Sequence, residues 1–255
     1  MTFLVERASD HCCLALRRLS EKHSQEVRFG RFIRNSFVSL QRMIDVSVQK
    51  TGQQVSGRHV LLVQDTSEMS FGYQPFQTGL GPVGNGVESG FFAHPVLAMD
   101  ADDNLCLGLA GLEVFKRPAA SEEHRNRRAF KDKLSYRWLS SVQTAQANCR
   151  AAARLTVVSD REGDIFEALL GYFEAKLDFV VRCCHDRPLA QADDDASRKL
   201  WQTADAWPVA GTYELNLPRT DARSVHKARL FVRFGSARLA RPEHTSAKAA
   251  PNHLG

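Results

Sequence analysis

The sequence predicts an α/β protein, and three observations carry that prediction. Short apolar runs of strand length recur at VLLVQ (60–64), FFAHPVLAMD (91–100), LCLGLAGLEVF (105–115), LTVVSD (155–160) and FVVRC (179–183). Segments with apolar residues at helical spacing occupy 4–50, 134–149 and 161–177. The resulting order after residue 56 is three strands, helix, strand, helix, strand, an antiparallel start followed by crossover units.

Residues 4–50 place Leu14, Leu16, Leu19, Val27, Phe32, Ile33, Leu40, Ile44 and Val48 at broadly helical spacing, with Gly30 and Asn35-Ser36 as interruptions and Ser36 or Ser39 as caps. TGQQVSGR (51–58) reads as a polar turn, so a helical region spans 1–56. A core region follows over 57–187. The Gly-rich segment 72–90 is a loop, Asp102-Asp103-Asn104 is a hairpin turn, and LSYRWLSSVQTAQANC (134–149) is amphipathic, with Leu134, Trp138, Val142 and Ala145 on one side. Residues 186–206, with Asp193-Asp194-Asp195, read as an exposed link. GTYELNLP and HKARLFVRFGSARLARP then read as strands of a basic β-rich extension over 188–255. From Glu243 onward nothing promises a packed element.

The chain of 255 residues is 43% hydrophobic and carries a formal charge of +5, enough for one sizeable core and a smaller unit. Charge is unevenly placed: Lys and Arg number 10 against 5 acids in residues 1–64, 14 against 20 in 65–196, and 10 against 4 in 197–255. Basic flanks around an acidic centre suit a polyanionic partner. The six cysteines show neither CxxC nor secreted disulfide spacing, the first residues lack the long apolar segment of a signal peptide, and there is no apolar run of about 18 residues. These features argue against a membrane protein, a disulfide scaffold and a zinc site, and lead to the expectation of a cytoplasmic protein with reduced thiols.

Asp65 and Asp160 share one local design, each ending a short apolar strand and followed by polar residues and further acids. Strand ends fix the backbone while leaving a side chain at the sheet edge. If the two strands are neighbours, both carboxylates face one site and are candidate ligands for Mg2+ or Mn2+, hard cations that prefer oxygen. The alternative is that both are turn formers or caps, Asp160 capping a helix over 161–177. Asp164 and Glu167 are further acids able to face the same way, and Glu68 is close enough to Asp65 to orient it. Arg161 either contacts a phosphate or pairs with Glu162 or Asp164. His94 either approaches a polynucleotide or is a satisfied core histidine, and Trp138 and Trp201 read as packing residues.

Taken together, RFIRN (31–35), QDTSEMSF (64–71), GFFAHPVLAMD (90–100), LGLAGLEVFKRP (107–118), KLSYRWL (133–139), VVSDREGDIFEAL (157–169), FVVRCCHDR (179–187) and GTYELNLP (211–218) resemble the DDE transposases of the IS4 superfamily, and within it the Tn5-like branch. They span most of residues 28–218 in order, and the Asp-Arg-Glu-Gly-Asp block is the most specific. The resemblance implies an RNase H-like core with Asp65 and Asp160 as the first two acids of a catalytic triad binding two divalent cations. It also implies N-terminal helices that contact transposon-end DNA through Arg31, Arg34 and Asn35, with Arg161 at the phosphates, and part of a β-rich insertion after about residue 188. The DNA partner would be a duplex transposon end that associates the chain with the nucleoid, and the protein partner a second copy or a full-length transposase.

The family's third acid is a glutamate on a helix within a Tyr…Arg…Glu…Lys signature, and these 255 residues contain no such segment. Glu243, in RPEHTSAK, lacks that context. The expectation is therefore a truncated transposase, inactive alone. Two alternatives accompany it: a DNA-binding regulator or inhibitor of the full-length enzyme, and an RNase H-like nuclease using a substitute acid such as Asp164.

Overall fold

The computed structural model describes residues 6–8, 10–11, 15–72, 79–117, 129–190, 199–218, 226–242 and 253–254. Cys12, Cys13, Asp193-Asp194-Asp195 and Glu243 lie outside the described residues.

The centre is a mixed sheet built on β1 (His59–Gln64), β4 (Glu88–Asp100), β5 (Cys106–Phe115), β6 (Arg154–Ser159) and β7 (Asp178–Val181). Register fixes the order β5-β4-β1-β6-β7: β4 runs antiparallel to both β1 and β5, while β6 is parallel to β1 and β7 parallel to β6. Two short strands, β2 (Ser67–Ser70) and β3 (Gly81–Val83), pair with the first half of β4. β1 alternates with period two, so Val60, Leu62 and Gln64 all point into the interior.

The helices α1 (Leu16–Leu19), α2 (His23–Ile33) and α3 (Leu40–Gln54) precede the sheet, and Ser39 caps α3 by accepting from Arg42 N–H at 3.2 Å. α3 runs through most of the expected 51–58 turn, because its last turn packs on β5 and buries Thr51, with Val55 joining the core just beyond. Tertiary packing here overrides the weak propensity of TGQQ.

α4 (Arg137–Asn148) lies on β4 and β5, and α5 (Phe166–Glu174) packs on α4 and β7. The core joins Val60, Leu62, Val96, Ala98 and Val157 from the strands to Trp138, Leu139 and Val142 of α4 and Phe166, Leu169 and Tyr172 of α5. Each large apolar side chain buried there contributes about 1.5–3 kcal/mol.

The expected 161–177 helix is two pieces: a 3-10 turn at Arg161–Gly163 and then α5, separated by Asp164 and Ile165. The expected link at 186–206 contains α6 (Leu200–Ala206), and Trp201 on it is 49% exposed rather than packed. β8 (Val209–Leu217) and β9 (His226–Arg233) form the expected basic hairpin as a separate antiparallel pair. The fold is thus a mixed α/β architecture, and no described helix is long and apolar enough to cross a membrane.

Candidate functional site

β1 and β6 are adjacent and parallel, with Gln64 paired to Ser159. The next residue on each strand is Asp65 and Asp160, so the two carboxylates leave neighbouring strands, about 4.8 Å apart by strand spacing, at the same edge. Both are exposed. Asp65 Oδ1 accepts from Thr66 N–H at 2.7 Å, and Asp160 Oδ1 accepts from Glu162 N–H at 2.8 Å. Asp160 therefore caps the short 3-10 turn and not the helix the sequence suggested.

Beside this edge lies a cleft of about 540 Å³ lined by residues that include Thr66, Glu68, Arg117, Arg137, Trp138 and Glu162. Arg137, from the first turn of α4, is half-buried, with its guanidinium 5.1 Å from the Phe115 ring centre and 5.9 Å from that of Trp138. Its Nε donates to Thr66 Oγ1 at 3.1 Å and its Nη1 to the Leu134 carbonyl at 2.7 Å. Burial pulls the Arg137 pKa down, and the charges of Glu162 and Glu113 pull it back. Arg117 is exposed, stacks over Phe92 at 5.0 Å, and donates to the Gly84 carbonyl at 3.3 Å. The described hydrogen-bond partners of both arginines are neutral, and Glu68 and Glu162 share the cleft with them.

Below Arg137 runs a buried polar relay. Thr66 Oγ1 lies 2.8 Å from His94 Nδ1, His94 Nε2 3.1 Å from Gln64 Oε1, Gln64 Nε2 2.9 Å from Tyr172 Oη, and Tyr172 Oη 2.7 Å from the Trp138 carbonyl. One assignment satisfies every group: Arg137 donates to Thr66, Thr66 to His94 Nδ1, His94 Nε2–H to Gln64, Gln64 to Tyr172, and Tyr172 to Trp138. His94 is fully buried and neutral, its pKa lowered to about 4 by burial first and by the Arg137 charge second. It is the satisfied core histidine of the two alternatives.

Asp164 is engaged by residues that follow β7. It is 3% exposed and accepts at Oδ1 from Arg187 Nη2 at 2.5 Å, and at Oδ2 from the Cys184 and His185 N–H groups at 2.8 and 3.0 Å. His185 Nδ1 lies 3.1 Å from the same Oδ2, and Cys184 Sγ lies 3.2 Å from His185 Nδ1. Asp164, Cys184 and His185 thus form a three-residue cluster able to coordinate a divalent metal ion, their donor atoms all within 4.8 Å of one another.

That cluster corrects the function expected from the sequence. The metal-competent group among the described residues contains one carboxylate together with a thiol and an imidazole, where DDE chemistry needs a set of carboxylates. The assignments of DNA transposase, of a transposase-lineage enzyme with two of its three catalytic carboxylates, and of a magnesium-dependent DDE centre for transposition and DNA recombination do not stand against it. The physical reason is donor softness: sulfur and imidazole do not suit Mg2+, which takes oxygen. Asp164 also fails as a free substitute acid, because Arg187 and two backbone amides hold it.

Of the expected DNA-contacting residues, Arg31 and Arg34 are exposed at the end of α2. Asn35 Oδ1 is engaged locally, accepting from Phe37 N–H at 2.9 Å. Arg161 is exposed in the 3-10 turn beside Asp160, and its carbonyl lies 3.4 Å from Cys184 Sγ. The sequence reading did not single out Arg117, Arg137, Cys184 or His185. Arg137 had a signal, a cation in the first turn of an amphipathic helix where the macrodipole disfavours it. Cys184 and His185 carried none, lying just after β7 and 20 and 21 residues from Asp164.

No protein-family model matches the chain, and comparison with curated proteins finds no match either.

Proposed function

We propose that this chain is a nucleic-acid-binding protein, a DNA-binding regulator that grips the phosphodiester backbone. The observation that carries this reading is the placement of Arg117 and Arg137 in one cleft next to Asp65 and Asp160. Guanidinium groups whose hydrogen-bond partners are neutral favour phosphate oxygens, whose neutralisation releases counterions. Exposed Arg28, Arg31, Arg34 and Arg42 on α2 and α3 add a second basic surface, and the +5 charge favours association. The strand order, three antiparallel and then two parallel, supports an RNase H-like core as the finer description of the α/β fold. By the segment resemblance given above, the DNA would be a transposon end, and the partner a second copy of the chain or a related full-length protein.

Fluorescence anisotropy with end-labelled duplex DNA over a salt series tests the reading. Binding that weakens linearly in log Kd against log salt, without loss of intact DNA when Mg2+ is added, supports it. Affinity no greater than that of an acidic globular control overturns it. Strand cleavage in Mg2+ that is lost in D160N replaces regulation with nuclease activity.

A further inference from the structure

The Asp164 cluster has a donor set that the DNA reading leaves unused. We infer that Asp164 Oδ2, Cys184 Sγ and His185 Nδ1 form a site for one borderline transition-metal cation of the Zn2+ class, with the fourth position left to water.

Ligand spacing is the first argument. Tetrahedral Zn2+, with bonds near 2.3 Å to sulfur and about 2.0–2.2 Å to nitrogen and oxygen, sets neighbouring donors roughly 3.4–3.6 Å apart. The Sγ to Nδ1 and Nδ1 to Oδ2 separations are 3.2 and 3.1 Å, so these two pairs need to open by only a few tenths of an ångström, and Sγ and Oδ2 lie within 4.8 Å of each other. Preorganisation is the second. Asp164 receives the N–H groups of both residues that supply the other donors, and Arg187 fixes its remaining oxygen at 2.5 Å, a second shell that orients the ligand and offsets its charge. Access is the third: Cys184 is exposed and the His185 side chain is 63% exposed, so a hydrated ion can enter.

The same distances exclude nucleophilic catalysis by a Cys-His-Asp relay. Sγ and Oδ2 both face Nδ1, whereas a relay needs the thiol on one ring nitrogen and the carboxylate on the other. Metal capture instead releases the Cys184 thiol proton to solvent, moves the His185 ring proton from Nδ1, where it faces the Asp164 carboxylate, to Nε2, and takes the sulfur from the Arg161 carbonyl, 3.4 Å away. The bond that forms is metal to thiolate, with no change of oxidation state. Mg2+ is a poor occupant because two of the three donors are sulfur and nitrogen.

Co2+ titrated into the 255-residue chain is the test, since a thiolate ligand gives it a charge-transfer absorption that a carboxylate does not. The site requires one Co2+ per chain with that band, displacement by equimolar Zn2+, and no displacement by millimolar Mg2+. C184S removes the band, H185A weakens Co2+ binding by about tenfold or more, and C183S and the D65N/D160N pair leave both unchanged. All four variants alter exposed side chains, and thermal melts confirm that they fold. Absence of the band in the native chain, its survival in C184S, or its loss in C183S overturns the assignment. DNA affinity plays no part in these readings, so the site and the DNA-binding reading fail separately.

Discussion

Arg187 closes over Asp164, its Nη2 2.5 Å from Oδ1 and 2.7 Å from the Asp164 carbonyl. Their side chains are 10% and 3% exposed. Burial alone would raise the Asp164 pKa, but the Arg187 hydrogen bond, the Cys184 N–H, the Arg187 charge and His185 outweigh it and lower the pKa to about 2. A carboxyl depressed in the fold stabilises the protein above its unfolded pKa, near 3.9, and that contribution disappears as pH falls toward 2. About 2–3 kcal/mol should be lost over this window, measured by urea unfolding at stepped pH. Arg187→Met, which strands the buried charge, should cost about 3–5 kcal/mol at pH 7.

His94 gives a second, separate acid response. Its folded pKa of about 4 lies below the ordinary value of 6.5, so the unfolded chain takes up the proton first. Stability from this group is complete above pH 6.5 and falls as pH drops through 6.5 toward 4, by about 3 kcal/mol in total. His94→Asn should flatten the unfolding free energy against pH in that interval while leaving the Asp164 response below pH 4.

Tyr172 Oη joins Gln64 to the Trp138 carbonyl inside the core. Tyr172→Phe keeps the ring and removes the bridge, leaving the buried Gln64 amide without its acceptor while the Trp138 carbonyl stays within the α4 ladder. The expected loss is about 1–3 kcal/mol, read as a lower urea midpoint with an unchanged m value.

On the DNA-binding reading, Arg137→Ala should weaken duplex binding and reduce the salt slope by about 1, the signature of one lost phosphate contact. Arg117→Ala should do the same. Arg154, already paired with Asp178 at 2.7 Å, is the control whose alanine variant should leave both quantities unchanged.

The strand skeleton was legible because Val60, Leu62, Val96 and Val157 impose apolar runs that only buried strands explain, and the side-by-side approach of Asp65 and Asp160 follows once β1 and β6 are neighbours. The break in the 161–177 helix was less legible. A helical pattern continues through Asp164, and only the tertiary pairing with Arg187 shows why that residue leaves the helix. Cys184 and His185 looked like ordinary exit residues because their partner is 20 positions away, and spacing within the sequence carries no sign of such a contact. Arg137 was hidden by its neighbour: Trp138 marked the helix face as core, and the cleft exists only where β5 delivers Phe115 beneath the guanidinium.

The relay from Arg137 to the Trp138 carbonyl has one direction of donation throughout, so no member can be exchanged alone for a group of opposite polarity. Positions 64, 66, 94 and 172 form a unit of inheritance: in any set of divergent sequences with this core they should change together or stay fixed. A lineage that replaces His94 with an apolar residue should also have lost the glutamine at 64 or the hydroxyl at 172. Covariation at these four positions would then trace the ancestry of the fold more faithfully than the exposed carboxylates above them.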